Sequence, residues 1–262
     1  MTRFTLIAAA SGLILAGCAA VSSTAPVAMT PPSAGWVKPP PGYLGGDGGI
    51  IAADIIGPPP TPDSARGKAE RAQFSETRKL VNTPTWSQAI ADADLSGKGG
   101  MKSFSCAAGV TLSAEATPTL ANLLLRVTDD AAKIYQPAKA VFQRQRPPVG
   151  NTAPICVPRE DWINTDGSYP SGHSLIGWAW GSVIAELVPD KATPILARGK
   201  AFGDSRIICG VHFQSDVEAG RYLGSALVTR LHDDPAFVAD LAKAKAEVAA
   251  SKAKGAPEGC GA

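Results

Sequence analysis

A chain of 262 residues with 45% hydrophobic content can bury one sizeable core, so a single domain is expected. Formal net charge is +2, and no run of Lys or Arg stands out. That excludes a polybasic nucleic-acid binder while remaining compatible with small anionic substrates.

In chain order, residues 1–17 read as an export signal. Arg3 supplies the positive end, and Phe4 to Ala16 form an apolar stretch too short to span a bilayer. The stretch closes on Leu15-Ala16-Gly17-Cys18, which resembles the lipobox of bacterial lipoproteins and implies lipidation of Cys18. Residues 18–42 are rich in Ala, Ser, Thr and Pro and read as a tether. An exported chain, in the periplasm or on the outer membrane, touches the membrane through that anchor alone. Export also bears on the remaining cysteines. Cys106, Cys156, Cys209 and Cys260 are even in number, and two disulfides are expected in an oxidising compartment. Three connectivities are open; the working expectation pairs Cys156 with Cys209 and Cys106 with Cys260.

The domain is expected over 43–252, with 253–262 as a tail. Pro62 and Asp63 open a helix running to about Val81, and Trp86 to Leu95 form a shorter one. After a glycine-rich loop from Ser96 to Met101, Ser113, Glu115 and Pro118 mark a start. Leu120, Leu123, Leu124, Val127, Ala131 and Ile134 then recur at helical spacing. Pro137 is expected to break or kink this pattern before a second helix from Ala138 to about Gln145. Pro147 to Ser168 is a long polar loop, the kind that often carries function. Ser174 to Val188 is apolar nearly all round and reads as a buried central helix. Thr193–Gly210, Asp216–Leu231 and Pro235–Lys252 complete an all-α, single-domain helical bundle without internal repeats.

Three clusters carry chemistry. Lys139 and Arg146 are seven apart, two turns of one predicted helix, so both cations can share a face. In Gly167-Ser168-Tyr169-Pro170-Ser171-Gly172-His173, Ser171 suits an N-cap and Gly172 allows close backbone approach to a ligand. A helix N-terminus there offers amides to an anion, with His173 beside it. In the third cluster, His212 and Asp216 are four apart, so on a helix they stack on one face. The carboxylate then fixes the imidazole tautomer and leaves the other nitrogen free to attack. Arg206 supplies a planar fork suited to phosphate oxygens. No Cys or His spacing suits a zinc site, so no metal or cofactor is expected.

Lys139-x6-Arg146-Pro147, Pro170-Ser171-Gly172-His173 and Ser205-Arg206-x5-His212-x3-Asp216 together resemble the three-part motif of the phosphatidic-acid-phosphatase type 2 (PAP2) and vanadium haloperoxidase superfamily. The flanks GSYPSGH, ICG and QSDVEAGR resemble class A bacterial non-specific acid phosphatases, with Phe213 standing where that class more often has Trp. The resemblance implies a metal-independent acid phosphatase acting on small phosphate monoesters, with phosphotransfer as a side activity. In it His212 is the nucleophile, His173 the general acid and base, and Asp216 the orienter of His212. Lys139, Arg146, Arg206, Ser171 and Gly172 bind phosphate. The alternatives are a vanadate-dependent haloperoxidase or a lipid or pyrophosphate phosphatase using the same cage. Oligomeric state is left open.

Overall fold

The structure, a computed structural model, describes residues 39–96 and 99–260. The expected signal, the Cys18 expected to be lipidated and most of the tether lie outside the described residues. Ten α-helices and no strands occur among the described residues. They are α1 Ala52–Ile56, α2 Ala65–Thr77, α3 Pro84–Ala91, α4 Ser105–Ala108, α5 Pro118–Phe142, α6 Trp162–Thr165, α7 Gly172–Leu187, α8 Ala192–Cys209, α9 Gln214–Leu231 and α10 Pro235–Lys252.

Helix α7 is the axis of the bundle. Ser171 caps it, the side-chain oxygen accepting from the Ser174 amide at 3.3 Å, and Leu175, Ile176, Ala179, Trp180, Val183 and Ile184 are fully buried. A helix apolar on all sides must be surrounded, and α8 and α9 flank this one with α5 also against it. Helices α7 and α8 cross closely at Gly181 and Gly199, where a Cβ on Gly181 would stand 3.2 Å from the Gly199 Cα. Such contact leaves little room for either backbone to shift relative to the other.

Pro137 does not break α5. The helix runs unbroken from Pro118 to Phe142, correcting the expected split and the second helix to Gln145. Proline removes one N–H from the ladder, but Ile134, Tyr135, Ala138 and Lys139 around it are buried, so packing holds the helix through that gap. The start of α5 is capped from a distance. The Glu247 carboxylate of α10 accepts the Thr119 and Leu120 amides at 3.0 Å each.

Both disulfides form, Cys106–Cys260 and Cys156–Cys209. The second ties the long loop after α5 to the end of α8, where a smaller core of Trp86, Ile90, Ile163 and Val211 surrounds it. That loop is not wholly irregular, since α6 interrupts it. No helix among the described residues is long and apolar enough to cross a membrane.

Candidate active site

The site lies where the N-terminus of α7, the turn between α8 and α9, and the end of α5 meet. Helix α8 ends at Gly210, whose φ of 81° is left-handed and costs little only for glycine. The Arg78 guanidinium closes that end by donating to the carbonyls of Ile207, Ile208 and Cys209. The chain then turns through Val211, His212 and Phe213 into α9. His212 therefore precedes α9 and does not share a helix with Asp216, which corrects the expected one-face stacking. They meet because Asp216 folds back over the first turn, accepting the Phe213 amide at 2.7 Å.

The protonation of His212 follows from its partners. Its Nε2 lies 3.0 Å from Nη1 of Arg146, and a guanidinium can only donate. So Nε2 carries the lone pair, and the proton sits on Nδ1. There it faces Asp216 Oδ2 and Ser168 Oγ, each at 3.4 Å. Asp216 is held more tightly elsewhere. Ser168 Oγ donates to its Oδ2 at 2.5 Å, and Arg144 Nη1 donates to its Oδ1 at 2.6 Å. Arg144 is itself paired with the buried Glu70 at 2.7 Å, and Glu70 also accepts the Ser215 amide at 2.8 Å.

Arg146 is not on α5, because that helix stops three residues before the expected end and Gln143 turns left-handed at φ 45°. The shared-face expectation for Lys139 and Arg146 therefore fails. The two cations still converge, through Asp166, whose Oδ2 accepts from Lys139 Nζ at 2.5 Å and Arg146 Nη2 at 2.7 Å. Burial, with Arg146 nearby, pulls the Lys139 ammonium down to about 8.

Arg206 is different. It is 2% exposed, and its Nε and Nη1 have no hydrogen-bond partner. The carboxylate whose charge offsets it is Asp92, which accepts from Ser205 Oγ at 2.6 Å and pairs with Arg198. The charge of Arg206 reaches both His173 and His212. His173 Nε2 is 3.0 Å from the Ala93 carbonyl, so that nitrogen bears the proton, while the ring stacks on Phe202. Burial first, and cations second, push both histidines well below their ordinary value; for His173 that cation is Arg206, and for His212 it is Arg146.

Ser171 caps α7, and a Cβ on Gly172 would meet the Tyr135 ring at 2.8 Å. The close approach that requires glycine here is to Tyr135. Phe213 is 6% exposed with Arg144 4.3 Å above its ring, so it packs the Asp216 network more than it walls a pocket. His232 lies on the surface against Glu186. Among the described residues, no group of three His, Cys, Asp or Glu side chains could hold a metal ion.

Four side chains of this constellation escaped the sequence reading: Arg144, Ser168, Asp166 and Glu70. Arg144 stands two before Arg146, and Ser168 and Asp166 lie in or beside GSYPSGH, so local signals existed. Glu70 had none, being 74 positions from Arg144 on α2.

Residues 119–236 match the family model of the PAP2 superfamily. An acid phosphatase of Zymomonas mobilis is 40% identical over 194 residues, 74% of each chain. A non-specific acid phosphatase of Providencia stuartii is 36% identical across 88% of this chain and 94% of its own. The chain belongs to the PAP2 superfamily. Within it, this acid phosphatase stands with the bacterial enzymes of that name. Its fold is also that of a bacterial vanadium-dependent iodoperoxidase, at a TM-score of 0.50 and 17% identity. That match covers 70% of the phosphatase and 53% of the longer peroxidase chain.

Proposed function

We propose that this acid phosphatase hydrolyses small phosphate monoesters through a phosphohistidine on His212, without a metal ion. The observation that carries the reading is the Arg206 guanidinium, buried with two unpaired nitrogens, whose charge reaches an imidazole with an unprotonated Nε2. An unpaired buried cation is costly, and a tetrahedral dianion supplies the missing acceptors.

The Nε2 lone pair attacks phosphorus, and the bond from phosphorus to the ester oxygen breaks. His173 donates a proton to the departing alkoxide. In the second half, His173 takes a proton from water, the resulting hydroxide attacks phosphorus, and the P–N bond breaks to release inorganic phosphate and neutral His212. Arg206, Lys139 and Arg146 neutralise the equatorial oxygens, the work that Mg²⁺ does in other phosphoryl-transfer sites. With its pKa pushed well below the ordinary value, His173 is neutral before substrate arrives near neutral pH. The substrate dianion offsets the Arg206 charge and lets His173 hold the proton it donates. The two disulfides accord with an oxidising compartment, and we place the enzyme outside the cytoplasm, tethered through Cys18.

Phosphoenzyme trapping tests the reading. Rapid mixing with a labelled ester in EDTA, followed by an alkaline quench, is expected to leave label on the protein that acid removes. His212→Ala is expected to carry none. Turnover with no trapped label, label retained in His212→Ala, or activity lost to EDTA and restored by a divalent ion would overturn it.

A further inference from the structure

Two of the three cations in the proposed cage already hold a carboxylate. Asp166, at the C-terminal end of α6, is 30% exposed, whereas the Lys139 and Arg146 side chains are 6% and 3% exposed. Arg146 has every N–H engaged. Nε donates to the Asp166 carbonyl at 2.9 Å, and Nη1 to the Val211 carbonyl and His212 Nε2, both at 3.0 Å. Nη2 donates to Asp166 Oδ2 at 2.7 Å and to the Gly167 carbonyl at 3.2 Å. A guanidinium has five N–H bonds, and all five are used.

A phosphoryl group on His212 Nε2 ends the bond from Arg146 to that nitrogen and places its oxygens beside the guanidinium. The Nη1 N–H freed in this way is one donor, and a second requires that another of the Arg146 acceptors let go. Three of the Arg146 acceptors are backbone carbonyls, fixed by the chain around α6 and the start of the α8–α9 turn. The Asp166 carboxylate is the one acceptor on a partly exposed, rotatable side chain, and it also occupies Lys139.

We propose that Asp166 is an internal counter-anion, displaced from Lys139 and Arg146 when phosphate binds and returning as phosphate leaves. This rests on the phosphate-cage reading above and assigns Asp166 the role of setting affinity for the transferred group. A carboxylate with one charge keeps two buried cations compensated in the resting enzyme. A dianion outcompetes it, yet binds less tightly than it would to cations with no partner. Its return helps expel product. Asp166→Asn retains the shape without the charge, so phosphate binds more tightly and leaves more slowly. A carboxylate that merely braced the two cations would have the opposite effect, since its loss would loosen the cage.

Titration calorimetry with inorganic phosphate at pH 6, on wild type, Asp166→Asn and Asp166→Glu, separates these cases. The Kd of Asp166→Asn is expected to fall by about tenfold or more, the scale of one charged hydrogen bond no longer displaced, with Asp166→Glu close to wild type. Its kcat on an aryl phosphate is expected to fall together with KM, as release becomes limiting. A crystal structure of the wild-type phosphate complex is expected to show Asp166 Oδ2 out of hydrogen-bond reach of Lys139 Nζ, and it decides the matter alone if the Asn variant does not fold. An unchanged or higher Kd in Asp166→Asn, or a carboxylate still on both cations beside bound phosphate, overturns the proposal. A wild type that binds no phosphate removes the cage reading as well.

Discussion

Arg146 Nη1 engages His212 Nε2, so the proposed nucleophile is ready in protonation but masked in geometry. Burial first, and then Arg146, Lys139 and Arg206, hold the pKa of His212 well below its ordinary value. The acid limb of kcat/KM for an activated ester, where the leaving group needs no proton, is therefore expected below pH 6.5. A pH–rate profile checks this. The two histidines are further separated by leaving group. His173→Ala is expected to lose far more activity on an alkyl phosphate than on an aryl phosphate, whereas His212→Ala loses both, as steady-state rates on the two ester types will report. Lys139 sets an alkaline limit. With its pKa pulled down to about 8, its charge is present below that pH and lost above it. Tungstate, a tetrahedral dianion throughout this range, is expected to inhibit progressively less as pH rises through about 8. In Lys139→Met the inhibition is weaker at pH 6, and the limb near pH 8 disappears; inhibition constants measured from pH 6 to 9.5 check both.

Between elements, the first turn of α9 does more than end a loop. Asp216 receives the Phe213 amide, Ser168, Arg144 and the His212 edge at once, and Glu70 of α2 holds Arg144 from behind. Asp216→Asn leaves the largely buried Arg144 with one carboxylate. An unfolding free energy lower by about 3 kcal/mol is expected from denaturant titration, the usual cost of opening a buried pair. A large fall in kcat accompanies it. Glu70→Gln acts through Arg144 and the Ser215 amide and is expected to lower kcat by about tenfold with KM little changed, as kinetics on one ester will show. At this scale the sequence was legible where periodicity was strong: α7 and α10 begin and end within about two residues of expectation. It misled at Pro137 and at His212. Local preference opposed a continuous α5, but burial on both sides of the proline outweighed it. The i, i+4 spacing of His212 and Asp216 suggested a shared helix, while a helix start between them brings the pair together by a different path.

Across the whole molecule, the Cys156–Cys209 bridge joins the loop bearing Asp166 and Ser168 to the end of α8, just before His212. Opening a cross-link over 53 positions is expected to lower unfolding free energy by up to about 4 kcal/mol. Denaturant titration of the Cys156→Ser, Cys209→Ser double variant checks the value, and a parallel loss of tungstate affinity is expected because both sides of the site lose a common tie. The buried histidines add a pH term. Their folded pKa values lie below the unfolded one, so the stability they contribute is present above pH 6.5 and lost as pH falls towards the folded values. The sequence alone determined the helical class, the PAP2 membership and the residue types gathered at the candidate site. Helical periodicity and a three-part motif of chemically specific side chains are written locally along the chain. Only the tertiary structure decided how the charges are shared: Lys139 and Arg146 engaged by Asp166, Arg144 shared by Asp216 and Glu70, and Arg206 left with two unpaired nitrogens. Which carboxylate reaches which cation depends on where separate elements end and turn. That geometry is set by the packing around α7, and no local preference specifies it.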